Sequence, residues 1–499
     1  MDRPAGLFDR EAEWGELSEF ATSVGARVRL AVVRGRRRHG KSYLLRPLAE
    51  QAGGFYYQAV THERRLALED FGAKLAGRMV LRAPLRFDNW EAALDQAFAL
   101  SPDGDGPLVV VIDEFPYLLD HSPELPSLLQ RTIDQSSNKD GRGVRLVVCG
   151  SALSVMATLL EGTQALRGRA VVDEVVRAFD FRVAARFWGI ADPRVAFSVH
   201  AVVGGAPGYL DMLGREPPGS MTGFDDWIER GVLNPSSALF REDDYLLTEE
   251  RGLSHRALYH SVIVAIAGGA TRLTEVAATL GRPASALTYP LRQLEDAGFV
   301  VKDEDALRNR RPVYRLADPI LRFHHVVTRR DLARFEARRT SEAWADAQQR
   351  FSTHVLGPQF EQTARDYTFR YAPNEVVGHP VAEVGTTVVN DRLGRARHQV
   401  DVVALARTSD GSKRLLAIGE AKHTNRPVGA HELERLERIR ALIEAEGTRS
   451  ADGQARLLLF SASGFTDDLE RTVEHRTDVS LLGLAELYGT DSALQGPRG

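Results

Sequence analysis

The chain of 499 residues is poor in cysteine and in long apolar runs, and each shortage excludes a class of protein. Its single cysteine, Cys149, excludes an intramolecular disulfide and a cysteine-rich zinc site. Because Cys149 lies in an apolar run, we expect it to be a buried strand residue. No stretch of about eighteen apolar residues is present, and the first residues lack the apolar core of a signal peptide. The sequence therefore predicts a cytoplasmic protein with no membrane partner.

Lysine is also scarce, because six of the 64 basic residues are lysines and the rest are arginines. The formal net charge of −4 gives no whole-chain attraction to nucleic acid, so a nucleic-acid site has to be local. Two of the six lysines, Lys41 and Lys422, occupy motif positions where a compact ammonium group suits the chemistry. A hydrophobic fraction of 43% is ordinary for a globular chain, and the length predicts roughly two to four domains.

Residues 35–42 match the phosphate-binding loop pattern G-x-x-x-x-G-K-[ST]. The apolar run 28–33 precedes this loop and the helical pattern 42–48 follows it, which predicts a strand, a loop and a helix N-terminus. Such a loop points backbone N–H groups at a polyphosphate, and the helix dipole adds partial positive charge. We expect Lys41 to reach the β- and γ-phosphates and Ser42 to bind Mg²⁺. The predicted nucleotide-contacting residues of the loop are Gly35, Arg36, Arg37, Arg38, His39, Gly40, Lys41 and Ser42.

A second apolar strand, 108–112, ends at Asp113 and Glu114. An acidic pair about seventy residues after a phosphate loop predicts that the aspartate holds Mg²⁺ and that the glutamate is catalytic, orienting the attacking water. A third strand, 145–149, ends just before Ser151, which is predicted to sense the γ-phosphate. A helix N-cap is the alternative role for Ser151, and the two roles are compatible. The predicted cofactors are therefore ATP and Mg²⁺.

Four segments resemble the archaeal-type ATPase family, in the STAND-like branch of AAA+ P-loop ATPases. They are Phe8-Asp9-Arg10-Glu11, the phosphate loop, Val-Ile-Asp-Glu-Phe-Pro-Tyr at 111–117 and Cys-Gly-Ser-Ala-Leu-Ser-Val-Met at 149–156. The resemblance covers nearly the whole chain. It implies an α/β multidomain fold with an ATPase core, a helical lid, a winged helix and a restriction-endonuclease-like domain. It also implies that Arg10 lies near the adenine and that Pro207 packs against the nucleotide.

The middle of the chain predicts a winged helix. Its expected elements are the helices 259–267, 274–280 and 286–297 and the strands 299–302 and 312–316. In this class the third helix can enter the major groove of DNA and the wing can contact phosphates. The candidate DNA-contacting residues are Arg292 and Gln293 on the third helix and Arg308, Arg310 and Arg311 in the wing loop. Winged helices also dock proteins, so a DNA partner and a protein partner both stay open.

The C-terminal part carries a hairpin pattern with acidic residues at matched positions. The strands 400–405 and 414–422 flank Asp410-Gly411, a strong two-residue turn signal. A turn centred there places Asp401 directly opposite Glu420. Because strand side chains alternate with a period of two, Lys422 is expected on the same face.

Two carboxylates and a lysine on one sheet face are costly unless a divalent cation lies between them. This set resembles the site of restriction-endonuclease-like nucleases of the PD-(D/E)XK type. In that reading Asp401 and Glu420 hold Mg²⁺, Lys422 positions or activates the attacking water, and Glu361 completes the site from the helix 359–367. Gln399 stands where an acid is common in the family. The alternative is a charged, solvent-exposed face of a half-buried hairpin.

The predicted domains are an ATPase core (1–180), a helical lid (181–250), a winged helix (251–328), a helical connector (329–350) and an α/β/α nuclease domain (351–499). The leading hypothesis is an ATPase whose nucleotide state controls a DNA-associated, Mg²⁺-dependent deoxyribonuclease. One alternative is an ATP-driven switch or scaffold with an inactive nuclease-like domain, and another is a winged-helix transcription regulator. A homo-oligomer or a protein partner is also considered.

Overall fold

The computed structural model describes residues 1–104, 106–135, 143–250, 256–308, 312–391, 394–451 and 453–489. Within these ranges the chain forms two five-stranded sheets and one two-stranded sheet, joined by helices. None of the helices described is both long and apolar enough to cross a lipid bilayer. Two residues predicted to make the wing loop basic, Arg310 and Arg311, lie outside the described ranges.

The N-terminal sheet is parallel throughout. Its strands are β1 (Arg29–Arg34), β2 (Phe55–Gln58), β3 (Leu108–Asp113), β4 (Val144–Gly150) and β5 (Ala170–Val175). The three strands predicted from apolar runs are confirmed as β1, β3 and β4. In the order β2-β3-β4-β1-β5, β4 lies between the two strands that carry the nucleotide motifs. The ends of β1, β3 and β4 therefore meet at one edge of the sheet.

Helices cover both faces of this sheet, so its central strands are apolar and buried. The helices of this region are α1 (Glu11–Thr22), α2 (Lys41–Gln51), α3 (Arg64–Arg78), α4 (Trp90–Phe98), α5 (Pro116–Leu119), α6 (Leu125–Gln135) and α7 (Leu153–Thr158). One core lies around Phe71 and Trp90, and the other around Trp14 and Leu45.

A group of helices follows the sheet where the lid was predicted. They are α8 (Phe181–Trp188), α9 (Pro193–Val203), α10 (Gly208–Leu213), α11 (Met221–Trp227) and α12 (Glu242–Glu249), with a π-helical turn at Ile228–Val232 and a 3₁₀ turn at Ala238–Arg241. Asp180 and Asp192 cap α8 and α9 through their carboxylates, which accept backbone N–H groups of the first turns. These caps fix where both helices begin.

Three helices and an antiparallel strand pair come next: α13 (Arg256–Ala267), α14 (Leu273–Leu280), α15 (Thr288–Asp296), β6 (Val300–Asp303) and β7 (Val313–Leu316). The predicted start of the third helix at residue 286 is two residues too early. Ser285 lies in a 3₁₀ turn and α15 begins at Thr288. Pro290 explains the later start, because a proline ring clashes with the carbonyl four residues earlier in a helix and is tolerated in the first turn.

The connecting region is helical, as expected for residues 329–350. It contains α16 (Pro319–Phe323), α17 (Leu332–Glu336), α18 (Thr340–Phe351), α19 (Gly357–Arg370) and α20 (Asn374–Val377), with π-helical turns at His324–Thr328 and Ser352–Leu356 and a 3₁₀ turn at Arg329–Asp331. Asp318 caps α16, because its carboxylate accepts a hydrogen bond from the Ile320 N–H at 3.2 Å.

The C-terminal sheet is mixed, in the order β12-β11-β10-β9-β8. Its elements are β8 (Glu383–Asp391), β9 (Ala396–Arg407), β10 (Lys413–Lys422), α21 (Ala430–Ala445), β11 (Arg456–Ser461), α22 (Asp467–Val473), β12 (Val479–Gly483) and α23 (Leu484–Tyr488). Val402 and Ala404 pack in one core with Phe360 of α19, whereas Val403 packs in another core with Leu436 of α21. Helices therefore cover both faces of the sheet.

The predicted two-residue turn between β9 and β10 is wrong. The loop spans Thr408–Ser412, and the Asp410 carboxylate accepts the Ser412 N–H at 2.9 Å, which stabilises this longer turn. The register near the loop is consequently one residue away from the predicted one. A bulge between Leu415 and Ala417 compensates, so that Gly419 pairs with Val402 as the sequence predicted.

Candidate functional site

A cavity of about 660 Å³ lies at the edge where β1 and β3 end. This volume is in the range of small-molecule and cofactor sites. Nine of the predicted nucleotide-site residues line it: Arg10, Arg37, Arg38, His39, Gly40, Lys41, Ser42, Glu114 and Pro207. The other four predicted residues, Gly35, Arg36, Asp113 and Ser151, are not among those that line it.

The loop conformation depends on its two glycines in different ways. Gly40 has a φ of +86°, a left-handed conformation that side chains disfavour, and it faces Pro207. Gly35 is needed for close packing, because a Cβ there would lie 2.3 Å from the Val176 carbonyl oxygen. Lys41 Nζ donates to the carbonyls of Gly35 at 2.6 Å and Arg36 at 3.1 Å, so the ammonium group is held inside the curl of the loop.

Oxygen atoms converge on the buried Asp113 carboxylate. Ser42 Oγ donates to Asp113 Oδ2 at 2.7 Å, and Tyr56 OH donates to the same oxygen at 2.6 Å. Burial and the Asp113 charge both raise the pKa of Tyr56, so its phenol keeps its proton. A serine hydroxyl beside a carboxylate is the oxygen donor set that Mg²⁺ prefers, and these residues fit the ion. Tyr56 was not predicted, because its proximity comes from the pairing of β2 with β3.

Glu114 and Ser151 contact each other at the ends of β3 and β4. Ser151 Oγ donates to Glu114 Oε2 at 2.8 Å, and the Ser151 N–H lies 3.3 Å from the same oxygen. Glu114 has a φ of +53°, which is uncommon for a residue with a side chain and is typical of functional positions. The residue predicted as a γ-phosphate sensor thus hydrogen-bonds the glutamate predicted to orient water.

An aromatic wall closes one side of the cavity. The rings of Phe8, Phe179 and Phe187 have centroids 5.3 to 5.9 Å apart, and the Arg10 guanidinium lies 4.5 Å from the Phe179 ring centroid. Arg10 also donates to the Arg177 carbonyl at 2.6 Å. Burial, with nearby Arg36, lowers the pKa of His39 to about 3, so this ring is neutral. Phe179 and Phe187 were missed because nothing in their local pattern separates them from core residues.

Arginines of the phosphate loop reach elements outside the N-terminal sheet. Arg36 forms an ion pair with Asp318 at 3.2 Å. Arg38 binds the fully buried Glu242 through two nitrogens, at 2.6 and 2.8 Å. Arg37 donates to the Tyr117 hydroxyl at 2.5 Å. The loop is therefore tied to the starts of α12 and α16, a link that has no local sequence signal.

The second group of predicted residues lies in the C-terminal sheet. Glu420 Oε1 accepts from Lys422 Nζ at 2.7 Å and from Arg435 Nη1 at 2.5 Å. The other oxygen, Glu420 Oε2, is buried and has no hydrogen-bond partner among the residues described. Asp401 Oδ2 accepts the Ala421 N–H at 3.1 Å, and Gln399 Nε2 lies 3.3 Å from Asp401 Oδ1.

Neighbouring carboxylates raise two pKa values in this cluster. Burial and the charges of Glu361 and Glu420 raise the pKa of Asp401 to about 7. The pKa of Glu361, on α19, is raised by burial and by Glu420. Asp401 and Val402 together face the single residue Thr386 of β8, a bulge of the kind found next to active sites. The buried cluster and its unpartnered oxygen fit a divalent cation.

A cavity of about 400 Å³ lies beside this cluster, between the three-helix region and the C-terminal sheet. Glu361 and Gln399 line it together with five arginines: Arg272, Arg315, Arg322, Arg365 and Arg397. Arg308, predicted as a wing residue, binds Glu446, the residue directly after α21, at 2.7 and 2.9 Å. The segment after β6 thus packs on the C-terminal sheet, where Asp305 accepts the Thr387 hydroxyl at 2.7 Å.

The parallel sheet and its phosphate loop define a P-loop ATPase fold. Residues 7–213 match a family described as an ATPase domain predominantly from Archaea. The chain therefore carries an archaeal-type ATPase domain, which is consistent with ATP binding and hydrolysis.

Among known proteins, the chain is similar to the uncharacterized protein MJECL04 of Methanocaldococcus jannaschii, with 24% identity over 416 residues, 82% of this chain and 86% of that protein. The solved Walker-type ATPase paby2304 of Pyrococcus abyssi is 19% identical, with 65% of this chain and 97% of that chain covered and a TM-score of 0.49. The ORC2 protein of Aeropyrum pernix is 16% identical, with 68% and 96% covered and a TM-score of 0.43.

Proposed function

We propose that this chain binds and hydrolyses ATP and that its nucleotide state controls a DNA-associated, Mg²⁺-dependent nuclease site in residues 351–499. The observation that carries the nuclease part is the buried acidic cluster, in which Glu420 Oε2 has no partner in the described part of the chain. Leaving such an oxygen unpaired is costly, and a cation removes the cost.

In the ATPase site, the backbone N–H groups of residues 35–42 and the Lys41 ammonium bind the phosphates. Ser42 and Asp113 hold Mg²⁺, and Glu114 orients the attacking water. Ser151 hydrogen-bonds Glu114 and senses the γ-phosphate. The aromatic wall and Pro207 contact the base side of the nucleotide, which suits a purine because aromatic rings stack on planar bases.

In the nuclease site, Asp401 and Glu420 hold Mg²⁺, which when bound acidifies a water and stabilises charge on the phosphate. Glu361 completes the acidic cluster from α19. Lys422 orients the attacking water through its ammonium group. The hydrogen bond of 2.7 Å from Lys422 to Glu420 supports this role, since it keeps the ammonium group within reach of the acidic cluster.

Nucleic acid enters along the arginine-lined cavity, between a winged helix at residues 251–328 and the C-terminal sheet. Five arginines and four acidic residues line this cavity, so its lining carries a net charge of +1, whereas the whole chain carries −4. Arg292 on α15 lies 3.9 Å from Asp296, but its side chain is 76% exposed and can reach a groove.

Control by nucleotide rests on the two ion pairs of the phosphate loop. Arg36–Asp318 and Arg38–Glu242 join the residues that cradle phosphates to α16 and α12. Binding of a polyphosphate draws the loop arginines towards new negative charge and so changes these pairs. Along the chain, both helices lie between the phosphate loop and the C-terminal sheet.

The test is cleavage of labelled single- and double-stranded DNA in Mg²⁺. Glu420→Ala and Asp401→Asn are expected to abolish cleavage while ATP binding, measured by calorimetry, stays unchanged. Glu470→Gln, at an exposed acid of α22 in the same domain, is the matched control and should cut normally. Equal cleavage by Glu420→Ala and wild type would contradict the nuclease assignment.

A regulatory switch with an inactive nuclease-like site is the second candidate. The observation that favours it is that Lys422 and Arg435 already neutralise Glu420 Oε1, in competition with a cation. Wild-type protein that hydrolyses ATP and never cuts DNA or RNA, at any nucleotide or metal condition, would select this candidate.

A further inference from the structure

Three segments meet away from both sites described above. They are the start of α12, the middle of α13 and the π-helical turn His324–Thr328, which contribute Asp243, His260 and His325. Each residue offers one ligand atom, and these atoms all lie within 4.8 Å of one another. Asp243 and His325 are buried and His260 is half-buried.

Three histidine nitrogens at this junction have no hydrogen-bond partners within the described ranges. This holds for His260 Nε2 and for both ring nitrogens of His325, all of them buried atoms. A neutral imidazole has one donor and one acceptor nitrogen, and burying both without partners costs free energy. The two rings lie with centroids 5.0 Å apart, beside the Asp243 carboxylate. These three imidazole nitrogens are therefore gathered beside a carboxylate and unsatisfied.

We propose that Asp243, His260 and His325 form a binding site for a divalent transition-metal ion, with Zn²⁺ as the ion of best fit. Two imidazoles and one carboxylate are ligands of borderline softness, which favour Zn²⁺ and its neighbours over Mg²⁺. Three protein ligands leave a fourth position for a water molecule.

The spacing is close to that of a metal centre. His325 Nε2 lies 4.0 Å from Asp243 Oδ2. Ligand atoms bound to zinc at about 2.0 to 2.1 Å lie roughly 3.3 Å apart in a tetrahedral site, so the three side chains close by about an ångström on binding. The half-buried His260 has the freedom to make this movement.

Neighbouring groups already orient the carboxylate. His324 Nε2 lies 2.9 Å from Asp243 Oδ1, and Arg329 Nε donates to Asp243 Oδ2 at 3.1 Å. Such outer partners fix the direction of a metal ligand. The Arg329 charge is shared with Asp244, to which Nη2 donates at 2.6 Å, and this keeps Asp243 available as a ligand.

A metal here would fasten the lid helix α12 to α13 and to the connector. Glu242, the partner of Arg38 of the phosphate loop, directly precedes Asp243. The ion would therefore hold the end of α12 to which the phosphate loop is bound. The inference stands on the geometry of the three ligands and does not depend on the proposed nuclease.

The experiment measures zinc per chain by mass spectrometry after chelation, reloading with Zn²⁺ in excess Mg²⁺, and gel filtration. Wild type and His354→Ala, which removes an exposed histidine, are expected to retain zinc at this site. Both His260→Ala and Asp243→Asn are expected to weaken zinc binding by at least about 100-fold. Because His260 is half-buried, its replacement is expected to leave the core packing intact. Circular dichroism checks that the variant folds. Co²⁺ loading gives a visible absorption band that the same variants lose.

Zinc held instead by the acidic cluster of the C-terminal sheet would be lost in Glu420→Ala and kept in His260→Ala. That result would overturn the proposal, as would a wild-type chain that retains no zinc or a His260→Ala variant with unchanged affinity.

Discussion

At the scale of single residues, both sites depend on partners that come from distant elements. The sequence predicts Ser42, Asp113, Asp401 and Glu420 as site residues. The phosphate-loop pattern places the serine, and strand ends and strand alternation place the three acids. It does not predict Tyr56 beside Asp113 or Arg435 beside Glu420. Those contacts arise from sheet order and helix packing, which no local pattern encodes.

Lys41→Ala tests the phosphate loop. The variant is expected to lose ATP binding, because the loop then lacks the charge that meets the β- and γ-phosphates. Glu114→Gln is expected to bind ATP and to hydrolyse it about 100-fold more slowly or worse, since the water loses its orienting carboxylate. Calorimetry and phosphate release measure the two effects.

The control for Lys41→Ala is Lys74→Ala, which removes an exposed lysine of α3. Lys74→Ala should bind and hydrolyse ATP like the wild type. Wild-type affinity for ATP in Lys41→Ala would show that the nucleotide binds elsewhere.

At the scale of elements, apolar periodicity located the strands and helices, whereas turns and helix starts needed the structure. The hairpin loop Thr408–Ser412 is longer than Asp410-Gly411 indicates, because side-chain and backbone bonds stabilise the wider loop. The bulge at Leu416 then restores the register at the site. A bulge has no reliable local signal in the sequence. The predicted pairing of Gly419 with Val402 is correct because the longer loop shifts the register by one residue and the bulge shifts it back.

The segment before α10 provides a test at this scale. A Cβ on Gly205 would lie 1.8 Å from the Phe179 carbonyl oxygen, so Gly205→Ala forces the backbone apart. We expect a loss of about 1 to 3 kcal/mol in stability, seen as a lower thermal midpoint, and weaker ATP binding because Pro207 moves. Gly219→Ala is the matched control, because a Cβ there meets nothing within 4 Å. Equal midpoints for the two variants would contradict the close packing at Gly205.

At the scale of the whole molecule, the phosphate loop and the C-terminal sheet are connected through the middle of the chain. Arg36 and Arg38 bind the starts of α16 and α12, and the segment after β6 packs on the C-terminal sheet. The sequence predicted the order of the parts but not these contacts, because each one joins residues far apart in the chain.

Asp318→Asn tests the connection. Asparagine still caps α16 but removes the charge that pairs with Arg36. ATP binding should stay unchanged, and the effect of ATP on DNA cleavage should shrink. Asp192→Asn makes the same change at the cap of α9, away from the phosphate loop, and should leave that effect intact. If ATP still changed DNA cleavage to the same extent in Asp318→Asn, the Arg36–Asp318 ion pair would have no part in nucleotide control.

The most direct test of nucleotide control is the rate of DNA cleavage in Mg²⁺ with ATP, with ADP and without nucleotide, compared between wild type and Lys41→Ala. We predict that the wild-type rate differs between these conditions and that the Lys41→Ala rate is the same in all three. A wild-type rate that is identical in all three conditions, or the same nucleotide response in Lys41→Ala, would contradict the account.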